Sequence, residues 1–190
     1  MQDIKRKLMS ALLLLPVAAM LTVCKASAMG QRPQLSAAQQ RFDGMGLTLV
    51  VDAVEGAEML GVEFFADGND RPFYAKSRMV RGNREIMAFP GGAVPQQVQV
   101  VWRDSAKIVG RVDNPRINTY TGNILGDYIV PVAHRIPDDV IREIRKNGGG
   151  LRLKFRLKSD GVLFGWDIER FSGGLPRHSM PGGDFLETWY

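Results

Sequence analysis

Leu151-Arg152-Leu153-Lys154-Phe155-Arg156-Leu157-Lys158, then Ser159-Asp160-Gly161, then Val162-Leu163-Phe164-Gly165-Trp166-Asp167-Ile168-Glu169-Arg170, reads as two strands joined by a tight turn. In the first arm apolar side chains alternate with cations, the period-two pattern of a strand that buries one face. Asp160-Gly161 is a favoured pair for the centre of a two-residue hairpin loop. Closing the loop there predicts Leu157 opposite Phe164, Phe155 opposite Trp166 and Leu153 opposite Ile168. On the other face it sets Lys154 opposite Asp167 and Arg152 opposite Glu169. A single register then serves apolar and charged pairs together. Charge pairs on an exposed face contribute at most ~1 kcal/mol each. The apolar face carries the stability, at ~1.5–3 kcal/mol per large side chain buried.

Upstream of the hairpin the sequence predicts one helix. Pro137 suits a first helical position, Asp138 and Asp139 oppose the positive end of the helix dipole, and Arg145-Lys146 lie at its negative end. Val140, Ile141 and Ile144 form the apolar stripe, and Asn147-Gly148 supplies a left-handed stop. Strands are expected at 47–54, 60–65, 84–89, 96–103 and 128–133, with 106–112 extending the fourth after a turn at Asp104-Ser105. Residues 113–127 read as a long surface loop, and such loops often bind. The end of the chain carries Gly173-Gly174, Pro181 and Gly182-Gly183, then Phe185, Trp189 and Tyr190. It either docks on the sheet as a last strand or stands out as a recognition tail.

With 21 glycines and ten prolines in 190 residues, many short strands and tight turns are favoured over a helical bundle. The expected fold is mainly β: an antiparallel β-sandwich with one short α-helix packed near the C-terminal hairpin. Residues 47–190 suit one domain with a single core. Residues 29–46 read as a flexible lead-in, with Leu35, Ala38 and Phe42 offering one weak helical turn.

Residues 1–28 carry an address. Lys5-Arg6-Lys7 precede an almost wholly apolar run from Leu8 to Val23, the order of an export signal. That run is shorter than the ~20 residues a comfortable membrane span needs. Two cuts compete. Ala26-Ser27-Ala28 is an A-x-A site, which would release a soluble protein. Leu21-Thr22-Val23-Cys24 resembles a lipobox, which would make Cys24, the sole cysteine, the lipidation site and new N-terminus. Val23 departs from that pattern, where a small residue normally stands. Either cut leaves no cysteine pair for an internal disulfide. The expected location is the periplasm, with the membrane reached through the N-terminal lipid if Cys24 is acylated.

Removing the signal also removes much of the positive charge. The full chain has 25 Lys+Arg against 20 Asp+Glu, a formal +5. A cut before Cys24 leaves 22 against 19, or +3, and a cut after Ala28 also removes Lys25 and leaves +2. Little remains of a nucleic-acid reading, and the cations of 152–158 are partly neutralised by their own hairpin partner.

No catalytic residue, cofactor cradle or metal site stands out. His134 and His178 are the only histidines and lie far apart in sequence, so a structural role for the first and a solvated position for the second are expected. Asp67-Gly68-Asn69-Asp70 lacks the ligand spacing of a calcium loop and reads as a turn. The candidate partner-binding residues are Arg71, Tyr74, Arg78, Arg81 and Arg84, in a turn-rich stretch that also holds Lys76, Phe73 and Met79. They suit an acidic partner surface or lipid headgroups. The stretch equally suits an exposed ribbon, charged so that a sheet edge does not pair.

A family resemblance enters through several segments taken in order. These are Phe89-Pro90-Gly91-Gly92, Val98-Gln99-Val100-Val101-Trp102, Tyr128-Ile129-Val130-Pro131-Val132 and Pro137-Asp138-Asp139-Val140-Ile141 running into Leu151-Arg152-Leu153-Lys154-Phe155. With the lone cysteine after the signal, this order resembles small, largely uncharacterised bacterial lipoproteins encoded beside type VI secretion phospholipase effectors. The resemblance implies an immunity protein: a non-enzymatic periplasmic binder whose partner is a secreted phospholipase-type effector. A second reading is an envelope structural or assembly lipoprotein that supports a secretion or pilus apparatus.

Overall fold

The computed structural model describes residues 35–188 apart from 55, 57, 91, 112 and 114–117. The segment 1–28 read as an export signal, which includes Cys24, lies outside the described residues, as do Trp189 and Tyr190. Leu35–Tyr190 forms one compact unit, so the domain begins before residue 47. Ser36 caps a single helical turn, α1 (Ala37–Gln40), in a reciprocal capping box with Gln39. Phe42 then enters the core at 3% exposure. Arg41 donates to the Ile136 carbonyl at 2.7 Å and pairs with Asp138 at 2.8 Å. From Leu35 onward the expected lead-in is part of the fold.

The protein is a sandwich of two packed sheets. One contains β1 (Gly46–Ala53), β4 (Arg84–Ala88), β9 (Gly150–Lys158), β10 (Gly161–Ser172) and β11 (Leu175–Gly183), in the order β11-β10-β9-β1-β4. The other contains β2 (Glu58–Ala66), β3 (Tyr74–Val80), β5 (Gln97–Arg103) and β8 (Ile124–Pro131), in the order β3-β2-β5-β8. We call them sheets A and B. Pairing is antiparallel except between β1 and β9, where Leu47 lies beside Leu151 and Val51 beside Phe155 in parallel register. The inner faces meet around Phe64, whose ring makes edge contacts with Tyr74 at 5.2 Å and, across the sandwich, with Phe155 at 5.5 Å. Such aromatic pairs add ~0.5–1.5 kcal/mol beyond the area they bury.

Among the described residues the one long helix, α2 (Asp138–Asn147), buries Val140, Ile141 and Ile144 and ends at Gly148 with φ of 75°. Pro137 caps it from outside instead of occupying its first turn. Arg170 ties the helix to the hairpin, pairing with Glu143 at 3.0 Å and donating to the Gly148 carbonyl at 2.9 Å.

The β9–β10 hairpin forms, but its register is two residues from the predicted one. Lys158 pairs with Gly161, so Ser159-Asp160 is the loop, and neither residue takes a positive φ. Phe155 faces Phe164, Leu153 faces Trp166, and Arg152 faces Asp167. A slip of two preserves which side chains share a face. The anticipated ion contacts therefore survive as diagonals, Lys154–Asp167 at 3.0 Å and Arg152–Glu169 at 3.9 Å.

These charges are not exposed. Arg152, Lys154 and Asp167 are at most 1% accessible. Arg152 grips Asp167 through two bonds of 2.5 and 2.7 Å. The cover is the end of the chain. After β11 docks on β10 as a last strand, residues 184–188 cross the outer face of sheet A as a strap. Asp184 accepts the Phe164 N–H at 2.9 Å and pairs with Arg135 at 2.6 Å. The Phe185 ring lies 4.9 Å from the Lys154 ammonium and 4.3 Å from the Arg156 guanidinium. The carbonyls of Glu187 and Thr188 accept from Lys154 at 2.9 Å and Arg152 at 3.2 Å. Gly165 makes the crossing feasible: a Cβ there would stand 3.0 Å from the carbonyl oxygens of both Gly182 and Phe185.

Replacing Asp167 with Asn removes the carboxylate that Arg152 and Lys154 share and leaves Lys154 buried without its counter-charge. Breaking a buried pair this way costs ~3–5 kcal/mol, and urea unfolding should show a loss of that size. Replacing Arg152, Lys154 and Asp167 together by Met, Met and Leu should cost far less. Arg135 and the Phe164 N–H hold the Asp184 carboxyl below its ordinary value of 3.8. A depressed carboxylate stabilises the folded state above that value and loses the contribution as pH falls through the lowered one. Protection of the Phe164 amide against hydrogen exchange should therefore decline on acidification below about 3.8. In Asp184→Asn it should be weak at every pH.

Candidate binding cleft

The outer face of sheet B is covered differently, by a short ribbon of β6 (Ile108–Gly110) and β7 (Asn118–Tyr120). Residues 113–127 are thus not one long loop, since they contain β7 and the start of β8. Nor does 106–112 continue β5. Gly61 in β2 lets the ribbon close down: it takes φ of 53°, and a Cβ would stand 2.5 Å from the Ser105 carbonyl and 2.8 Å from Tyr120 Cβ. Beside it the strand bulges, and Glu63, only 1% exposed, anchors the ribbon. Its carboxylate accepts from Thr119 Oγ1 at 3.0 Å, from the Tyr120 N–H at 3.4 Å and from Arg103 at 3.3 Å. Arg103 Nε donates to the Tyr120 carbonyl at 2.9 Å. Burial, with the Glu63 charge second, pushes the Tyr120 phenol up from its ordinary value.

Between this anchor and the 67–73 turn lies an open cleft of about 340 Å³. Phe65, Pro72, Val101 and Ile124 give it apolar surface, and Arg103, Arg111, Asp70 and Asp127 line its polar parts. Arg111 ties the ribbon to the turn, donating to the Asp70 carbonyl at 2.7 Å and to both oxygens of Asp113. Asp127 accepts from Gln99 at 2.7 Å. Outside the cleft β8 is the edge strand, and it exposes Ile124, Leu125 and Ile129 at 55%, 64% and 62%. The ribbon adds Ile108 at 54%. Alternation explains part of this pattern: Gly126, Tyr128 and Val130 turn inward, and Tyr128 stacks on Trp102 at 5.1 Å. Their neighbours must face out.

The five residues singled out from sequence are not gathered into one site. Arg71 is exposed beside the 67–73 turn, near the cleft. Arg78 lies on β3, the far edge of sheet B, paired with Glu58 at 2.9 Å. Arg81 is exposed in the turn after β3. Arg84 lies on β4, the edge of sheet A, 3.7 Å from Asp52. Tyr74 is buried at 5%, with its hydroxyl donating to Glu85 at 2.9 Å. Burial and then that carboxylate push the phenol far above its ordinary value. Tyr74 therefore joins the two sheets' edges and offers no ring to a partner, a role shared by the Lys76–Glu85 pair. Asp67-Gly68-Asn69-Asp70 is a turn, with Asp67 Oδ1 accepting the Gln96 and Gln97 N–H groups at 2.7 and 3.0 Å. His134 is exposed. His178, expected in solvent, is half-buried 3.3 Å from Glu169. Among the described residues no group of three or more His, Cys, Asp or Glu side chains could hold a metal ion, and no helix is long and apolar enough to cross a membrane.

Glu63, Arg103 and Arg111 were not singled out from the sequence. A lone acid inside Val62-Glu63-Phe64-Phe65 was the available signal. Compared with known protein families, curated proteins and solved structures, the chain matches none.

Glu63→Ala should release the ribbon. It leaves Arg103, with 14% of its side chain exposed, without its counter-charge, for a loss of about 3 kcal/mol in urea unfolding. Hydrogen exchange should accelerate in 108–120 well before it does in β9 and β10.

Proposed function

We propose that this domain works by binding another protein in the bacterial envelope, as an immunity protein that neutralises a type VI secretion lipase effector. The supporting observation is the β8 side of sheet B, where three large apolar side chains stand in solvent on an edge strand next to arginines. An uncovered apolar edge is an aggregation hazard in a protein that works alone. Placed in an interface, the same residues become a desolvated centre with arginine at its rim. The cleft adds shape: apolar walls with Arg103 and Arg111 already held by their own carboxylates, so little side-chain freedom is lost on binding. A specific complex covering this face would bury ~1,200–2,000 Å² in total. Resemblance in segment order to lipoproteins encoded beside phospholipase effectors supplies the class of partner. The N-terminal signal pattern supplies the compartment.

Co-expression with a candidate lipase effector from the neighbouring reading frames tests the reading. The wild type should protect cells and purify with the effector. Ile129→Asp combined with Ile124→Asp should fold normally, weaken the complex by ~30-fold or more and abolish protection. Unprotected cells and no complex would rule out the immunity reading. Recovery of secretion or pilus machinery in place of a toxin would favour the structural lipoprotein instead.

A further inference from the structure

Residues 171–177 are all exposed. β9 ends where Gly150 pairs with Glu169, while β10 and β11 run on as a two-stranded overhang and close through Gly173-Gly174. The overhang carries Phe171 at 71% and Leu175 at 62% exposure. Phe171 pairs with Pro176 and Ser172 with Leu175, so Phe171 and Leu175 point to opposite faces of the ribbon. Neither contributes to the core.

The last turn of α2 lies beside this tip. Arg170 touches Glu143 and the Gly148 carbonyl, and Asn147 and Phe171 line a common groove. Arg142 and Lys146, one helical turn apart, are exposed, as is Arg177 on β11. None of the three has an ion-pair partner among the described residues. Arg145 donates to the Arg41 carbonyl, which leaves its charge uncompensated. The nearby carboxylates are already engaged, Glu143 by Arg170 and Glu169 by His178. This end of the domain therefore combines a protruding apolar tip with unneutralised cations on α2 and β11.

We propose that the Phe171/Leu175 tip, with the exposed Arg142 and Lys146 of α2 and Arg177 of β11, docks on the surface of an anionic lipid membrane. A protein pocket meets one face of a ribbon, and here it would bury one of the two large side chains and leave the other wet. A headgroup layer surrounds a tip on every side and takes both. The cations come from two elements, α2 and β11, and all three are exposed, which suits a sheet of lipid phosphates. The surface shares no residue with the sheet B cleft, so the membrane and a protein can be held together.

The test uses the full chain carrying Ser172→Cys in a Cys24→Ser background, labelled with an environment-sensitive dye. Vesicles are phosphatidylcholine alone, or phosphatidylcholine with about a third phosphatidylglycerol, a fraction large enough for the ~five-fold gain expected per cation. The label reports the tip itself, so binding through the apolar run at 8–23 does not mimic the signal. Its emission should shift to the blue on the anionic vesicles. Arg142→Gln, Lys146→Gln and Arg177→Gln together should weaken that response by ~100-fold. Phe171→Ser with Leu175→Ser, read by the same label at position 172, should weaken the response by ten-fold or more. All variants should keep the wild-type urea midpoint, since every altered side chain is exposed. Unchanged emission on anionic vesicles would overturn the proposal. So would a Phe171→Ser, Leu175→Ser variant whose label responds to anionic vesicles as the parent's does.

Discussion

Arg152, Asp167 and Lys154 form an ion cluster that water does not reach, and much of sheet A is arranged around keeping it satisfied. Removing such groups from water costs several kcal/mol per ion even after relaxation. The cluster is tolerated because each member has several partners. Asp167 meets both cations. Arg152 reaches the Thr188 carbonyl, and Lys154 reaches the Glu187 carbonyl and the Phe185 ring. These last contacts come from the strap, so strap and hairpin register are one problem. Only the observed register sets Asp167 squarely opposite Arg152 while leaving it within reach of Lys154. Burial lowers the Lys154 pKa, and the Asp167 charge works against that shift. The missing side chain at Gly165 belongs to the same arrangement.

The two outer faces of the sandwich consequently have different characters. On sheet A the chain covers its own polar face and closes it with backbone carbonyls. On sheet B the cover is a ribbon hooked to one carboxylate, Glu63, and it stops short of β8. Surface for another molecule therefore exists on the B side and at the hairpin overhang, whereas Arg152 and Lys154, at the centre of the basic β9, are buried and unavailable to a partner. Charge density in a sequence says little about charge at a surface.

The long alternating arm at 151–158 and the capped amphipathic stretch at 138–147 were legible because their periodicity runs over many residues. The hairpin register was not, since a two-residue slip leaves the apolar and polar faces unchanged. What decides it is a third segment, 184–188, distant in sequence from β9. β6 and β7 are three residues each, too short for period two to stand out, and so 113–127 read as loop. Tyr74 looked like an aromatic anchor among arginines, yet its pairing with Phe64 turns it inward. Ser36 and Gln39 spell a capping box, but nothing local announces that Phe42 would find a place in the core. The cleft was least legible of all. Its residues come from the 67–73 turn, β2, β5, β7 and β8, and the one local clue was the acid at position 63.

The parallel neighbourhood of β1 and β9 has a kinetic consequence. Leu47 and Leu151 lie side by side although about a hundred residues separate them, and all four strands of sheet B are made in between. Non-local pairing of this kind raises contact order and slows folding. Until residue 150 and its successors are available, β1 lacks its central neighbour and presents an open edge. A chain made from its N-terminus thus keeps this edge unpaired until β9 emerges, and a chaperone that shields open strand edges would be most valuable to it during that interval.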